Sequence, residues 1–118
     1  MSVVLEASSS VATEMIAAGT GVILVDFTAG WCAPCRALAP VLVELAEEVD
    51  DLTVVKVDVD ASPGLAAEFG VMSFPTLIFF VDGQPVHRIT GARGVASLRQ
   101  ELDRARDAAQ ESRAPSPG

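Results

Sequence analysis

The chain is 118 residues long and half hydrophobic, with a formal net charge of −8 and Lys56 as its one lysine. That length suits a single domain that buries roughly two thirds of its unfolded surface, so neither disorder nor a disulfide-stapled mini-fold is indicated. Without clustered Lys and Arg a nucleic-acid backbone is excluded as partner, and with no apolar run near ~20 residues a membrane span is excluded too.

The N-terminus, MSVVLEASSS, has no basic segment followed by an apolar stretch, so no secretory leader is expected and the protein is placed in the cytosol. Residues 3–6 are a short strand candidate. Ser10 is a candidate cap for a helix to about Ala18, with Val11, Met15 and Ala18 on one face and Gly19 as its stop. Residues 22–28, VILVDFT, form a β-branched apolar run that reads as a strand buried on both faces. Leu38, Val41, Leu42, Leu45 and Val49 then recur at helical spacing, with Pro40 inside the helix as an expected kink.

Residues 52–59, LTVVKVDV, give a second central strand. Ser62 and Pro63 open a short helix that Gly70 closes. Residues 76–81 make a third strand, and Asp82–Gly83 signals a hairpin that returns over residues 86–90, with Pro85 restricting that strand to an edge. A last helix is expected from about Val95 to Ala109, with Leu98, Leu102 and Ala105 inward and Arg99, Asp103 and Arg106 paired on the outside. Residues 111–118, ESRAPSPG, read as a flexible tail after a domain spanning 1–110. The pattern β-α-β-α-β-α-β-β-α is that of an α/β fold: a mixed sheet of parallel strands joined by right-handed crossovers, edged by an antiparallel hairpin and flanked by helices on both faces.

The two cysteines, Cys32 and Cys35, stand in GWCAPCR between the first buried strand and the helix after it. A bridge between them closes only a tiny loop, which is of little use as a structural staple. In the cytosol such a pair is more often metal-binding or catalytic. A helix start offers unpaired N–H groups and a positive dipole end, which favour a thiolate. Spacing of three places both sulfurs within bridging distance, and Pro34 is tolerated in the first turn. Cys32 is expected to be the exposed nucleophile, and Cys35 the shielded, resolving thiol. A zinc site would need four ligands, and His87, the one histidine, lies on a separate element. His87 is taken as a surface residue and not a catalyst.

Four segments in this order, VDFTAGWCAPC, VVKVDVD, VMSFPTLIFF and DGQPVHRITGA, resemble the thioredoxin family over residues 1 to about 110. The resemblance implies a thioredoxin fold and a general protein-disulfide reductase. It matches Trp31, Cys32, Pro34 and Cys35 to the redox motif. Asp26, flanked by apolar residues, is implied to lie beneath Cys35 and relay its proton, with a carboxyl pKa raised by burial and Lys56 as its partner. Pro75 is matched to a cis-proline that keeps metal from the thiolates. Phe74, Met72, Trp31, Ala33, Pro34, Gly91 and Ala92 would form the client-docking rim, although core packing is an equal reading for Met72.

Three positions depart from the family pattern: Ala33 for a glycine, Thr28 for an aromatic that would support the active-site loop, and Phe74 for a smaller aliphatic. The implied partners are disulfide-containing client proteins and a flavin-dependent thioredoxin reductase drawing on NADPH. The chain has no cofactor fingerprint of its own, and the resemblance implies a monomer that holds no metal. The rival readings are a binding module with switch-like or idle cysteines, a zinc-holding dimer, and an oxidant or isomerase on the same fold.

Overall fold

A computed structural model describes residues 4–113. Its strands are β1 (Val4–Glu6), β2 (Val22–Thr28), β3 (Leu52–Asp58), β4 (Thr76–Val81) and β5 (Gln84–Thr90). Its helices are α1 (Ser9–Ala18), α2 (Ala33–Glu48), α3 (Pro63–Glu68) and α4 (Val95–Arg113). The expected start of the first strand at residue 3 lies outside the described residues. At the other end α4 continues to Arg113, beyond Ala109 and into the segment read as a tail, of which residues 114–118 lie outside the description.

The strand order is β1-β3-β2-β4-β5. The first three strands run parallel, while β4 is antiparallel to β2 and β5 antiparallel to β4. Strict alternation of strand and helix would have made β4 parallel to β2. It is not, because α3 is too short to act as a crossover. Six helical residues rise about 9 Å, whereas a seven-residue strand is about 23 Å long. The chain therefore starts β4 at the end of the sheet where β3 finished. That reversal sets Pro75 and the 90s loop at the same end as the cysteines.

Two cores form because the central strands are buried on both faces. Ile23, Val25 and Phe27 face Ala12 and Ile16 of α1 and Leu65 of α3. Val22 and Leu24 face Leu38, Leu42 and Leu45 of α2 and Leu98 and Leu102 of α4. Pro40 lies inside α2 on its exposed side, and the helix continues through it to Glu48. The hairpin follows the Asp82–Gly83 signal, with φ of 53° and 78° at the two residues. Pro85 sits on the edge strand β5, where the register slips opposite Phe79 and Phe80.

Several local expectations change. Ser8, not Ser10, caps α1: its hydroxyl accepts from the Val11 N–H. The inward face of α1 is Ala12 and Ile16, while Val11 and Ala18 are exposed. Arg99 and Arg106 do not serve Asp103 as their main partner; they reach Glu48 and Asp51 instead, each at 2.7 Å through paired nitrogens. Those contacts tie α4 to α2 and to the loop after it.

His87 is half-buried rather than a free surface residue. It stacks near Phe79, and its Nε2 lies 2.5 Å from a carboxylate oxygen of Glu101, a residue only 3 % exposed. Arg104 and Arg93 also serve Glu101. With His87 as the leading cause, these partners hold the Glu101 carboxyl below its ordinary range.

Gly19 ends α1 for a different reason than a left-handed cap. Its φ is −66°, open to any residue, but a Cβ there would lie 2.7 Å from the Met15 carbonyl oxygen and 2.6 Å from an Ile23 methyl. The Ile23 tip can move, whereas the helix carbonyl cannot without loosening the last turn. Gly19→Ala should therefore destabilise the fold by about 1–3 kcal/mol, the usual range for overpacking. The check is the urea unfolding midpoint, and an unchanged midpoint would show that the turn relaxes freely.

Candidate active site

The site forms where β2 hands the chain to α2. Once past Thr28 the backbone turns, and the Cys32 N–H donates to the Ala29 carbonyl at 3.1 Å. Cys32 is the N-cap of α2, with extended backbone, and its Sγ accepts from the Cys35 N–H at 3.2 Å. Ala33 and Pro34 are the first two helical positions and are exposed, so the proline displaces no helical bond. A donor that the helix leaves free thus points at the sulfur, which is the arrangement that stabilises negative charge there.

Cys32 and Cys35 form a disulfide with their Cα atoms 5.3 Å apart. The expected contrast in exposure is small: Cys32 is 5 % exposed and Cys35 3 %. Both side chains belong to the apolar cluster with Ala29, Val59 and Ala66. Exposure belongs instead to the rim. Trp31 is 65 % exposed, and its ring meets Phe74 edge-on with centroids 5.7 Å apart. Met72 is 93 % exposed, which rules out core packing for it. Ala92 is exposed and Gly91 half-buried.

The Phe74–Pro75 bond is cis, and the Pro75 carbonyl accepts from the Gly91 N–H at 2.9 Å. This bond joins the proline loop to the 90s loop. The structure therefore gathers Trp31, the cysteines, Phe74, Pro75, Gly91 and Ala92 at one end of the sheet. Among the described residues no cluster of three or more His, Cys, Asp or Glu could hold a metal ion.

Asp26 is fully buried on β2, and neither carboxylate oxygen has a hydrogen-bond partner. Its strand neighbours in register are Lys56 on β3 and Leu77 on β4. Loss of hydration pushes its carboxyl up from 3.8 to about 6, against a smaller downward pull from the Lys56 charge. Lys56 is half-buried and lines a cavity that Cys35 also lines.

Two positioning contacts escaped the sequence reading. The Trp31 indole N–H donates to an Asp60 carboxylate oxygen at 3.0 Å, and the Asp60 N–H donates to the Asp58 side chain at 2.9 Å. Arg36 donates to the Gly30 carbonyl at 2.7 Å. Nothing in VDVDAS marks Asp60 as the tryptophan's partner, because the contact joins residues 29 positions apart.

A family model described as Thioredoxin matches residues 3–104. A thioredoxin of Mycobacterium tuberculosis is 55 % identical over 95 residues, which cover 80 % of this chain and 81 % of that one. A bifunctional thioredoxin reductase/thioredoxin of Mycobacterium leprae is 56 % identical over 81 residues, covering 68 % of this chain and 18 % of that protein. Among solved structures, chloroplastic thioredoxin z superposes with a TM-score of 0.80 at 32 % identity, covering 88 % of this chain and 95 % of that one. Fasciola hepatica thioredoxin gives 0.74 at 36 % identity, covering 89 % and 99 %.

The buried Asp26 also fixes a pH dependence. Its folded pKa lies above the unfolded value, so between 3.8 and about 6 the native state binds more protons than the unfolded one. Stability from this group is therefore highest below 3.8 and falls as pH rises through about 6, by roughly 3 kcal/mol in all. Asp26→Asn should remove that slope, gaining about 3 kcal/mol on the unsubstituted chain across the window. Urea titrations at pH values either side of it are the check, and parallel pH profiles would show that Asp26 ionises as readily in the native state as in the unfolded chain.

Proposed function

This chain belongs to the thioredoxin family and is a thiol–disulfide oxidoreductase, a protein-disulfide reductase; on that footing we propose how its residues divide the work. The observation that supports the division is the Cys35 N–H directed at the Cys32 sulfur. In the reduced chain Cys32 is the thiolate, and it attacks one sulfur of a client disulfide. The client's other sulfur leaves with the bonding electrons, and a mixed disulfide remains on Cys32. Cys35 then gives its proton to the Asp26 carboxylate and attacks the Cys32 sulfur. The second client sulfur leaves as a thiolate, so the client gains two electrons and Cys32–Cys35 is oxidised.

Asp26 suits the proton step because burial brings its pKa to about 6, where carboxylate and acid are both accessible near neutral pH. Lys56, its neighbour in register, limits how far that value rises. The client lies as an extended segment on the rim of Trp31, Ala33, Pro34, Phe74, Gly91 and Ala92, with the backbone beside Pro75 offered strand to strand. The exposure of Trp31 and Met72 supports this docking face. Pro75 keeps metal from the thiolates.

The dithiol is regenerated by a thioredoxin reductase using flavin and NADPH. The naming of the Mycobacterium leprae relative, which joins reductase and thioredoxin in one protein, supports that partner. The chain works as a monomer in the cytoplasm, and its domain extends past residue 110 to the end of α4 at Arg113.

Insulin reduction coupled to a chemical dithiol tests the division. Cys32→Ser should abolish turnover, while Cys35→Ser should accumulate a mixed disulfide with the client, visible by intact mass. Trapping through Cys35 in the Cys32→Ser chain instead would reverse the two roles. Asp26→Asn should slow resolution near neutral pH by about 100-fold, a typical general-base contribution, and an unchanged rate would remove it from the mechanism. Equilibration with glutathione should place the Cys32–Cys35 potential below that couple. A value well above it would make the protein an oxidant.

A further inference from the structure

A cavity of about 590 Å³ opens beside the disulfide, a size typical of small-molecule sites. Thr28, Gly30, Cys35, Arg36, Ala39 and Lys56 are among its walls, and Cys32 is not. The space exists because short side chains meet there: Thr28 where β2 ends, Gly30 in the turn and Ala39 one helical turn past Cys35. The disulfide therefore has two unlike approaches. The Cys32 side is bordered by the broad rim of Trp31 and Phe74 and suits an extended polypeptide. The Cys35 side is reached through a cleft sized for a small molecule.

The charges around the cleft fit one class of visitor. Arg36, tied to the Gly30 carbonyl, and Lys56 place two cations on the walls. Glu6 and Asp58 balance them, so the cleft is not a general anion trap. A small neutral or zwitterionic thiol can enter without net repulsion and finds cations beside it when it ionises.

We propose that low-molecular-weight thiols reach Cys35 through this cavity and reduce the Cys32–Cys35 disulfide from that side. The inference rests on the disulfide-exchange reading above and adds a second reductant class to it. The thiol loses its proton to solvent, and its sulfur bonds to Cys35 Sγ. The Cys32–Cys35 bond breaks, and its electron pair stays on Cys32, the sulfur that the Cys35 N–H already faces at 3.2 Å. A second thiolate attacks the incoming sulfur of the mixed disulfide, releasing the small disulfide and the Cys35 thiolate, which takes up a proton. In balance, two small thiols become one small disulfide and the chain becomes a dithiol.

The second step, in which a small thiolate and the Cys35 sulfur exchange through the cavity, can be run in reverse on a single cysteine. In Cys32→Ser the remaining thiol, Cys35, is treated with bis(2-hydroxyethyl) disulfide or with a polyethylene-glycol-linked pyridyl disulfide, and the adduct is followed by intact mass. The small probe should modify Cys35 and the large one should lag. Filling the cavity from either wall, by Thr28→Trp or by Ala39→Leu in the same background, should slow the small probe by about tenfold or more. Circular dichroism establishes that each variant is folded, and the two walls give independent readings. Equal rates for both probes, or a small-probe rate untouched by a folded filling variant, would overturn the route. Insulin reduction by the unsubstituted chain separates the two readings. If insulin is reduced while the fillings have no effect, only the cavity route falls; if insulin is not reduced, the reductase reading itself falls.

Discussion

The Cys35 N–H facing the Cys32 sulfur depends on nearly everything else in the molecule being where it is. A free donor exists there because α2 starts at Ala33 and its first N–H groups have no helical acceptor. The helix starts there because β2, buried on both faces, delivers the chain rigidly to Thr28 and the turn to Cys32 takes few residues. Leu38, Leu42 and Leu45 then lock α2 onto the sheet and prevent that first turn from drifting. The opposite wall arrives by the same logic of length: α3 cannot span the sheet, so β4 must begin beside the cysteines, with Pro75 immediately before it.

Asp26 introduces a conflict into this arrangement. A carboxylate with no hydrogen-bond partner at zero exposure is a cost to folding whenever it is charged. Lys56 relieves part of that cost through its charge without a hydrogen bond, which leaves the pKa near the working pH rather than restoring it to the ordinary value. A closer ion pair would stabilise the charged fold and bring the Asp26 pKa back toward its ordinary value. The sheet therefore tolerates its least favourable buried group at the β2 position that pairs in register with Lys56.

The sequence was most legible where periodicity is strong. The continuous run of β2, the leucine spacing of α2 and the Asp82–Gly83 turn each have one sterically sensible reading, and each matches. It was least legible where several faces are equally apolar. In α1 the residues Val11, Ala12, Met15, Ile16 and Ala18 offer more than one inward stripe, and packing against Val25 and Phe27 selects Ala12 and Ile16. Partners far apart in sequence also left no trace. Local spacing paired Arg99 with Asp103, but Glu48 lies across the helix interface in better bidentate geometry. The burial of His87 follows from Glu101 on another element, and the exposure of Met72 from a loop that turns outward. Within the site, the cysteines, Asp26 and Pro75 were readable from motif and context, while Asp60 and Arg36 were not.

The departures from the family pattern describe a redistribution of support around the active-site loop. Thr28 leaves space where an aromatic would fill in beneath the loop, so packing alone does not hold it. Polar ties supply part of the missing support, with Arg36 bound to the Gly30 carbonyl on one side and Trp31 to Asp60 on the other. Phe74 returns some aromatic bulk, but at the rim, edge-on to Trp31. Such a loop is held by direction-specific hydrogen bonds at its ends and stays hollow in its middle. Rigid ends keep the Cys32 sulfur on its donor, and a hollow middle keeps Cys35 within reach of small molecules. A bulky filler would give the first of these and forfeit the second, which makes the small residue at position 28 consistent with the polar anchors around it.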